Sequence, residues 1–252
     1  MRRAAAIVFA ATILVTAAFA APAGASHSWG GYHWARTSNP FTLAMGDNVS
    51  TAWDGYLDRS VSEWSQSTVL DLAKVTGSTT GKRCRATAGR VEVCSASYGR
   101  NGWLGLASIS ITGGSHITQG TVKVNDTYFA MAQYNTPDER AHVMCQEIGH
   151  TFGLGHTSED GSTQNTCMDY SQSPTSTSPN AHDYAQLETI YSHLDSTTTV
   201  GATSAARSPQ VVGNDRSSWG REVERSADGG HSTFVRDFGH GNLVVTEVTW
   251  AN

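Results

Sequence analysis

Charge is scarce in this sequence. Asp, Glu, Lys and Arg make up 15% of its 252 residues, against about 25% in an ordinary soluble protein. No arginine-rich run or basic cluster occurs, which argues against nucleic acid as a partner. There is no C-x-x-C pair, which removes the zinc-knuckle reading of the cysteines. No period of about 20–50 residues repeats, which removes solenoids and propellers. After residue 25 no apolar run is long enough to cross a membrane. Hydrophobic content is an ordinary 38%, which excludes wholesale disorder. The chain is long enough for one good-sized domain and an appendage.

What is present begins with a targeting segment. Arg2 and Arg3 form a basic start, Ala4 to Ala20 is apolar, and Ala23-Gly24-Ala25 is a small-x-small cleavage pattern. Residues 1–25 are therefore read as a signal peptide, with the mature chain starting at Ser26 and exported to the extracellular space. An uncleaved anchor is the rival reading. With its leader removed the chain keeps no membrane-spanning segment, and its formal net charge goes from −5 to −7 on losing Arg2 and Arg3. Residues 26–195 are read as the main domain, 196–214 as a linker and 215–252 as a small β-rich tail. A monomer is expected.

All four cysteines follow the leader, as suits an oxidising destination. Four cysteines allow three pairings. Cys84–Cys94 and Cys145–Cys167 are favoured. The first closes an arch over Ala88-Gly89, and the second ties a helix to a later loop. Val49, Trp53, Leu57 and Trp64 recur at helical spacing over Asp47 to Trp64. Val91 to Val93, Trp103 to Ile111 and Thr121 to Asn125 read as strands. The tail offers Arg221–Arg225, Ser232–Phe238 and Leu243–Trp250 as a meander with Gly-rich turns.

One helix stands out. Thr136 suits an N-cap, Pro137 the first helical position, and Glu139 a capping box. Ala141, Cys145, Ile148 and Phe152 follow at i, i+4, i+7 and i+11, and at roughly 100° per residue they fall within about 60° of one another. Gln146, Glu147 and His150 fall on the opposite side, facing a cleft. Gly153 stands where the chain must leave the helix in a left-handed conformation.

That polar side has the chemistry of a metal site. The run from Gln146 reads Q-E-I-G-H-T-F-G-L-G-H. Two ligands at i and i+4 share one helix face and one ion, and the glutamate between them can take a proton from water at the metal. The turn at Gly153 brings His156 back as a further ligand. Thr166-Cys167-Met168-Asp169-Tyr170 follows.

Glu147, His150, Gly153, His156 and Met168 together resemble the metzincin clan of zinc endopeptidases, whose signature is H-E-x-x-H-x-x-G-x-x-H followed by a Met-turn. The spacing of Met168 and Tyr170 resembles the astacin and serralysin branches. The longer stretch from Val143 to His156 is similar to a group of secreted bacterial metzincin-like proteins. The resemblance implies an α+β metzincin-like zincin domain: a twisted mixed sheet with an active-site helix, a Met-turn and a C-terminal helix. It implies zinc as cofactor and a peptide or protein as substrate. Hydrolysis would use a zinc-activated water, with Glu147 as general base and Tyr170 as oxyanion stabiliser or switchable ligand. Met168 would lie beneath the metal. Cys145–Cys167 would then brace the helix against the Met-turn.

Gln146 departs from the signature, and three readings stay open. Its amide oxygen ligates zinc beside His150 and His156, weakly enough that Tyr170 becomes a lasting fourth ligand. Alternatively His142 substitutes, although about 12 Å along the helix axis separates it from His150. Or the site binds no metal and the domain is an inactive binding module. His116 is read as a loop histidine before a second metal ligand, and His182 and His193 as surface or packing residues. Trp29, Tyr32, Trp34, Trp53 and Trp64 are read as core before a carbohydrate platform. Trp103 to Ile111 is either a central strand or the edge along which an extended substrate pairs. The structural zinc and calcium motifs of matrix metalloproteases are absent.

Overall fold

The computed structural model describes residues 27–204 and 213–251. The signal peptide expected over 1–25, and residues 205–212 of the expected linker, lie outside the described residues.

A two-residue strand, β1 (His33–Trp34), precedes β2 (Phe41–Asn48). Phe41, Leu43 and Met45 alternate into the core along β2, the period of a strand with one buried face. The helix expected from Asp47 begins later, as α1 (Asp54–Trp64). The parallel ladders of β2 with β3 (Leu70–Thr76) and β4 (Val91–Ala96) run to Asp47 and Asn48, and those pairings hold the chain extended there. Next come β5 (Trp103–Thr112), β6 (His116–Asn125) and the single turn α2 (Asp126–Phe129). The long helix α3 (Pro137–His150) has Thr136 as its N-cap, accepting from the Glu139 amide at 3.1 Å. After α4 (Ala181–Ile190) and the short α5 (Arg216–Trp219) the chain ends in β7 (Arg221–Arg225), β8 (His231–Asp237) and β9 (Leu243–Trp250).

The fold is mixed α+β. Strand order is β3-β2-β4-β6-β5-β9-β8-β7, with β1 also pairing β6. The first half is parallel, whereas β5 runs antiparallel to both β6 and β9. Strand β5 therefore lies inside the sheet, and the C-terminal strands continue that sheet. Leu104, Ile109 and Ile111 of β5 join the main core, while Trp103 and Leu106 join a second cluster with Trp219, Phe234, Val248 and Trp250. Both faces of β5 are thus covered.

The main core takes the tryptophans. Trp34, Trp53 and Trp64 are fully buried, and the indole N–H groups of Trp34 and Trp64 donate to the carbonyls of Thr151 and Cys145. They are packing residues and form no open platform. Leu187 and Tyr191 face the same core, but α4 stops at Ile190, which leaves Leu194 58% exposed.

Disulfides join Cys84 to Cys94 and Cys145 to Cys167. The second ties α3 to the loop that carries Met168. Among the described residues no helix is long and apolar enough to cross a membrane.

Candidate metal centre

Helix α3 and the loop after it form one wall of the site. Ala141, Cys145 and Ile148 are buried on the core side. Gly149 lets Met168 approach, since a Cβ there would stand 2.5 Å from the Met168 Sδ. Met168 is itself fully buried against the helix. Gly153 adopts φ +93°, and a side chain there would run into the Tyr32 carbonyl, so glycine is required on both counts. The sharp exit turns His156 back beside His150, with ring centroids 4.5 Å apart.

The C-terminal strands form the opposite wall. Side chains alternate along a strand, so Val248 and Trp250 of β9 enter the second cluster while Glu247 and Thr249 face α3. In the β8–β9 ladder His231 is opposite Thr249, and Thr233 is opposite Glu247. The polar side of α3 is consequently covered: Gln146, Glu147 and His150 are all 0–1% exposed.

Three donors converge. One ligand atom each from His150, His156 and Glu247 lie within 4.8 Å of one another. The His150 Nδ1 donates to the Leu154 carbonyl at 2.8 Å, which leaves Nε2 to ligate. The His156 Nδ1 shares a hydrogen bond with the Tyr170 hydroxyl at 2.9 Å, and its Nε2 is buried without a partner. Glu247 accepts a short hydrogen bond from Thr233. Second partners of this kind fix the tautomer and aim of metal-ligating groups.

Burial is the leading cause of the shifts in this cluster, with neighbouring charges and hydrogen bonds adding to or opposing it. Burial lowers His150 to about 4 and holds His156 and His231 well below the usual histidine range, so all three are neutral at pH 7. Burial raises Glu247 to about 8 and pushes Glu147 well above the usual carboxylate range. Neutral imidazoles beside buried carboxyls are a donor set that a cation would stabilise. Nitrogen and oxygen donors in a two-histidine, one-carboxylate set suit zinc, with a fourth position left open.

Gln146 is hydrogen-bonded at both ends of its amide. Its amide nitrogen donates to the carbonyls of Cys167 and Asp169 at 3.0 and 2.9 Å. Its oxygen accepts from His231 Nε2 at 3.2 Å and from the Thr249 hydroxyl at 3.1 Å. The Gln146 amide, one of the expected ligands, is thus also a hub joining α3, the Met168 loop and the tail. His142, the other substitute considered, is held by the Ser176 carbonyl at 2.5 Å.

Glu147 and Tyr170 flank the donors. The Thr249 hydroxyl, whose single proton is shared between Gln146 Oε1 and Glu147 Oε1, lies 2.7 Å from the latter, while Glu147 Oε2 is buried without a partner. Strand β5 comes close enough to touch because residue 105 is glycine: a Cβ there would lie 2.7 Å from Glu147 Oε1. The Tyr170 ring stacks on His231 at 3.7 Å and an angle of 2°. A cavity beside the site is lined by Leu104, His142, Tyr170, His231 and Thr249 among others.

Sequence reasoning missed Glu247, Thr249 and His231. The signal was faint but present. Glu247 is the lone acidic residue in Leu243-Val-Val-Thr-Glu-Val-Thr-Trp250, a charge in the middle of a strand that otherwise reads as buried. His182, read as a surface or packing residue, stacks on His27 at 4.6 Å.

No family model matches the sequence, and no curated protein matches it. Among solved structures the chain is similar to high choriolytic enzyme 1, a hatching enzyme zinc-protease from Oryzias latipes (medaka fish). Identity is 11% and the TM-score 0.36, over 64% of this chain and 94% of that chain.

Proposed function

We propose that this chain is an exported zinc-dependent endopeptidase whose metal is held by His150, His156 and Glu247. The observation that carries the reading is the convergence of those three donors beside a buried, half-satisfied Glu147. The metzincin-like motif residues Glu147, His150, Gly153, His156 and Met168 support the same reading. The missing first histidine is offset from the far end of the sequence, by a carboxylate.

When bound, zinc would polarise the scissile carbonyl and the attacking water. Glu147 takes the proton of that water through its unpartnered Oε2 and returns it to the leaving amine. Its raised affinity for a proton suits the second half of that task, and the charge of a cation held beside it would favour the ionised form that the first half needs. Tyr170 holds its hydroxyl at the ring of His156, where it can donate to a developing oxyanion. Thr249 orients Glu147. Substrate is a peptide or protein segment entering the cavity beside Tyr170 and His231. The leader sequence and two disulfides support an extracellular destination.

A second reading is favoured by one observation. Strand β9 pairs with β5 from Trp103–Trp250 to Ile111–Leu243, so an extended peptide has no free edge of β5 to join while β9 is in place. On that reading the domain is a catalytically silent binding module. A peptide-library assay on the zinc-loaded chain separates the two. Chelator-sensitive cleavage that Glu147→Ala abolishes supports the peptidase, and its absence supports the module.

A further inference from the structure

A second cluster of metal-capable side chains lies away from this cleft, on β1, at the start of β6 and just after α4. His33 and His116 are direct cross-strand partners in the β1–β6 ladder. Their ligand atoms and one from Asp195 lie within 4.8 Å of one another. Three imidazole Nε2 atoms approach the same carboxylate oxygen, Asp195 Oδ1: His116 at 3.2 Å, His33 at 3.6 Å and His193 at 3.8 Å. His193 Nε2 is also 3.2 Å from His33 Nε2.

These distances have a geometric meaning. Four donors placed tetrahedrally at about 2.0–2.1 Å from a zinc ion stand about 3.3–3.4 Å apart. The four separations given above, 3.2 to 3.8 Å, bracket that value. His193 stands outside the set of His33, His116 and Asp195 whose ligand atoms all lie within 4.8 Å of one another, and its half-exposed side chain would turn inward to complete the four.

The surroundings orient the donors. His33 Nδ1 donates to the Gly31 carbonyl at 2.9 Å, which turns its Nε2 lone pair toward the cluster. Asp195 Oδ2 is held by the Arg36 guanidinium at 2.8 Å and the Arg36 amide at 3.1 Å, leaving Oδ1 for the histidines. Arg36 is only 2% exposed, so this carboxylate is rigidly placed. A carboxylate fixed from behind and an imidazole fixed by a backbone carbonyl are the outer partners that metal ligands use. His116 and His193 have side chains 33% and 49% exposed, which gives an ion from solvent a way in.

We propose that His33, His116, His193 and Asp195 bind a second zinc ion with a structural role. Four protein ligands close the coordination sphere and leave no position for substrate. The ion would cross-link β1, the β5–β6 hairpin and the chain after α4, three segments remote in sequence. The site is independent of the cleft, since no residue is shared.

The test uses the full chain stripped with chelator and dialysed against zinc alone, with metal content measured directly. The wild type should retain two equivalents. His116→Ala/His193→Ala should lose one equivalent, and its thermal midpoint should stop responding to zinc. His156→Ala should lose the other equivalent and keep this one, which cobalt would report as a tetrahedral visible spectrum. A second measurement needs no variant: zinc should protect His116 and His193 of the wild type from diethyl pyrocarbonate. Unchanged zinc content in His116→Ala/His193→Ala, or modification of both histidines at the same rate with and without zinc, would overturn the proposal. A single wild-type equivalent that His156→Ala removes would overturn it too. If that single equivalent persists in His156→Ala and disappears in His116→Ala/His193→Ala, the second site stands and the cleft reading fails.

Discussion

His231 Nε2 lies 3.2 Å from Gln146 Oε1, across 85 residues of sequence. This contact joins the helix of the candidate metal site to a strand near the end of the chain. It also explains the departure of Gln146 from the motif, because an imidazole there could not donate to two carbonyls and accept from two tail donors at once. Gln146→Leu should leave cleft zinc in place while lowering stability by about 2–4 kcal/mol, since several buried groups lose their partners together. Denaturant unfolding and metal analysis check this. Loss of cleft zinc from a folded variant would return Gln146 to the ligand set.

Glu247 should give opposite effects with and without metal. Burial holds its folded pKa at about 8, against an unfolded value of 4.5. In the metal-free protein the folded state keeps this proton where the unfolded chain has released it. Stability should therefore fall as pH rises from about 4.5 to 8. Zinc binding needs the ionised carboxylate, so cleft affinity should rise over the same window. Glu247→Gln should flatten the metal-free dependence and stabilise the metal-free chain at pH 8, by on the order of a few kcal/mol. The same change should weaken cleft zinc, counted in a His116→Ala/His193→Ala background. Thermal melts with and without zinc across that range measure both effects.

Glu147 and Tyr170 should separate chemistry from metal binding. Glu147→Ala should cut peptide cleavage by about 10²–10⁴-fold, and Tyr170→Phe by about 10²–10³-fold, each with zinc content unchanged. If Tyr170→Phe instead releases zinc, the phenol is a ligand and not an oxyanion donor.

The Cys145–Cys167 bond closes a loop of sequence separation 22 between the helix and the Met168 turn. Its removal in Cys145→Ser/Cys167→Ser should cost about 3 kcal/mol, read from denaturant midpoints. Because Gln146 donates to the Cys167 carbonyl, zinc affinity should fall as well. Cleavage and affinity both unchanged would mean the bond braces nothing at the site.

Helix α3 was legible in the sequence because its signals are local. Thr136 caps it, Pro137 starts it, and the Cys145–Ile148 stripe faces the core. The three tail strands were legible as elements for the same reason. Their partner was not. Pairing of β9 with β5 is set by contacts remote in sequence, and nothing in Leu243–Trp250 names Trp103–Thr112 as its neighbour. The third donor, Glu247, was hidden by that gap. Strand β2 was missed where Asp47 and Asn48 read as a helix start, because parallel pairing overrode local preference. His33, His116 and Asp195 were unreadable as a set, since only the β1–β6 ladder and the end of α4 bring them together.

The zinc-loaded full chain, assayed on a peptide library with and without chelator, tests the peptidase assignment most directly. Expected is cleavage that chelator stops, zinc restores and Glu147→Ala lacks although it holds the same zinc. A chain that holds zinc in the cleft and cleaves no peptide would contradict it and leave the silent binding module in its place.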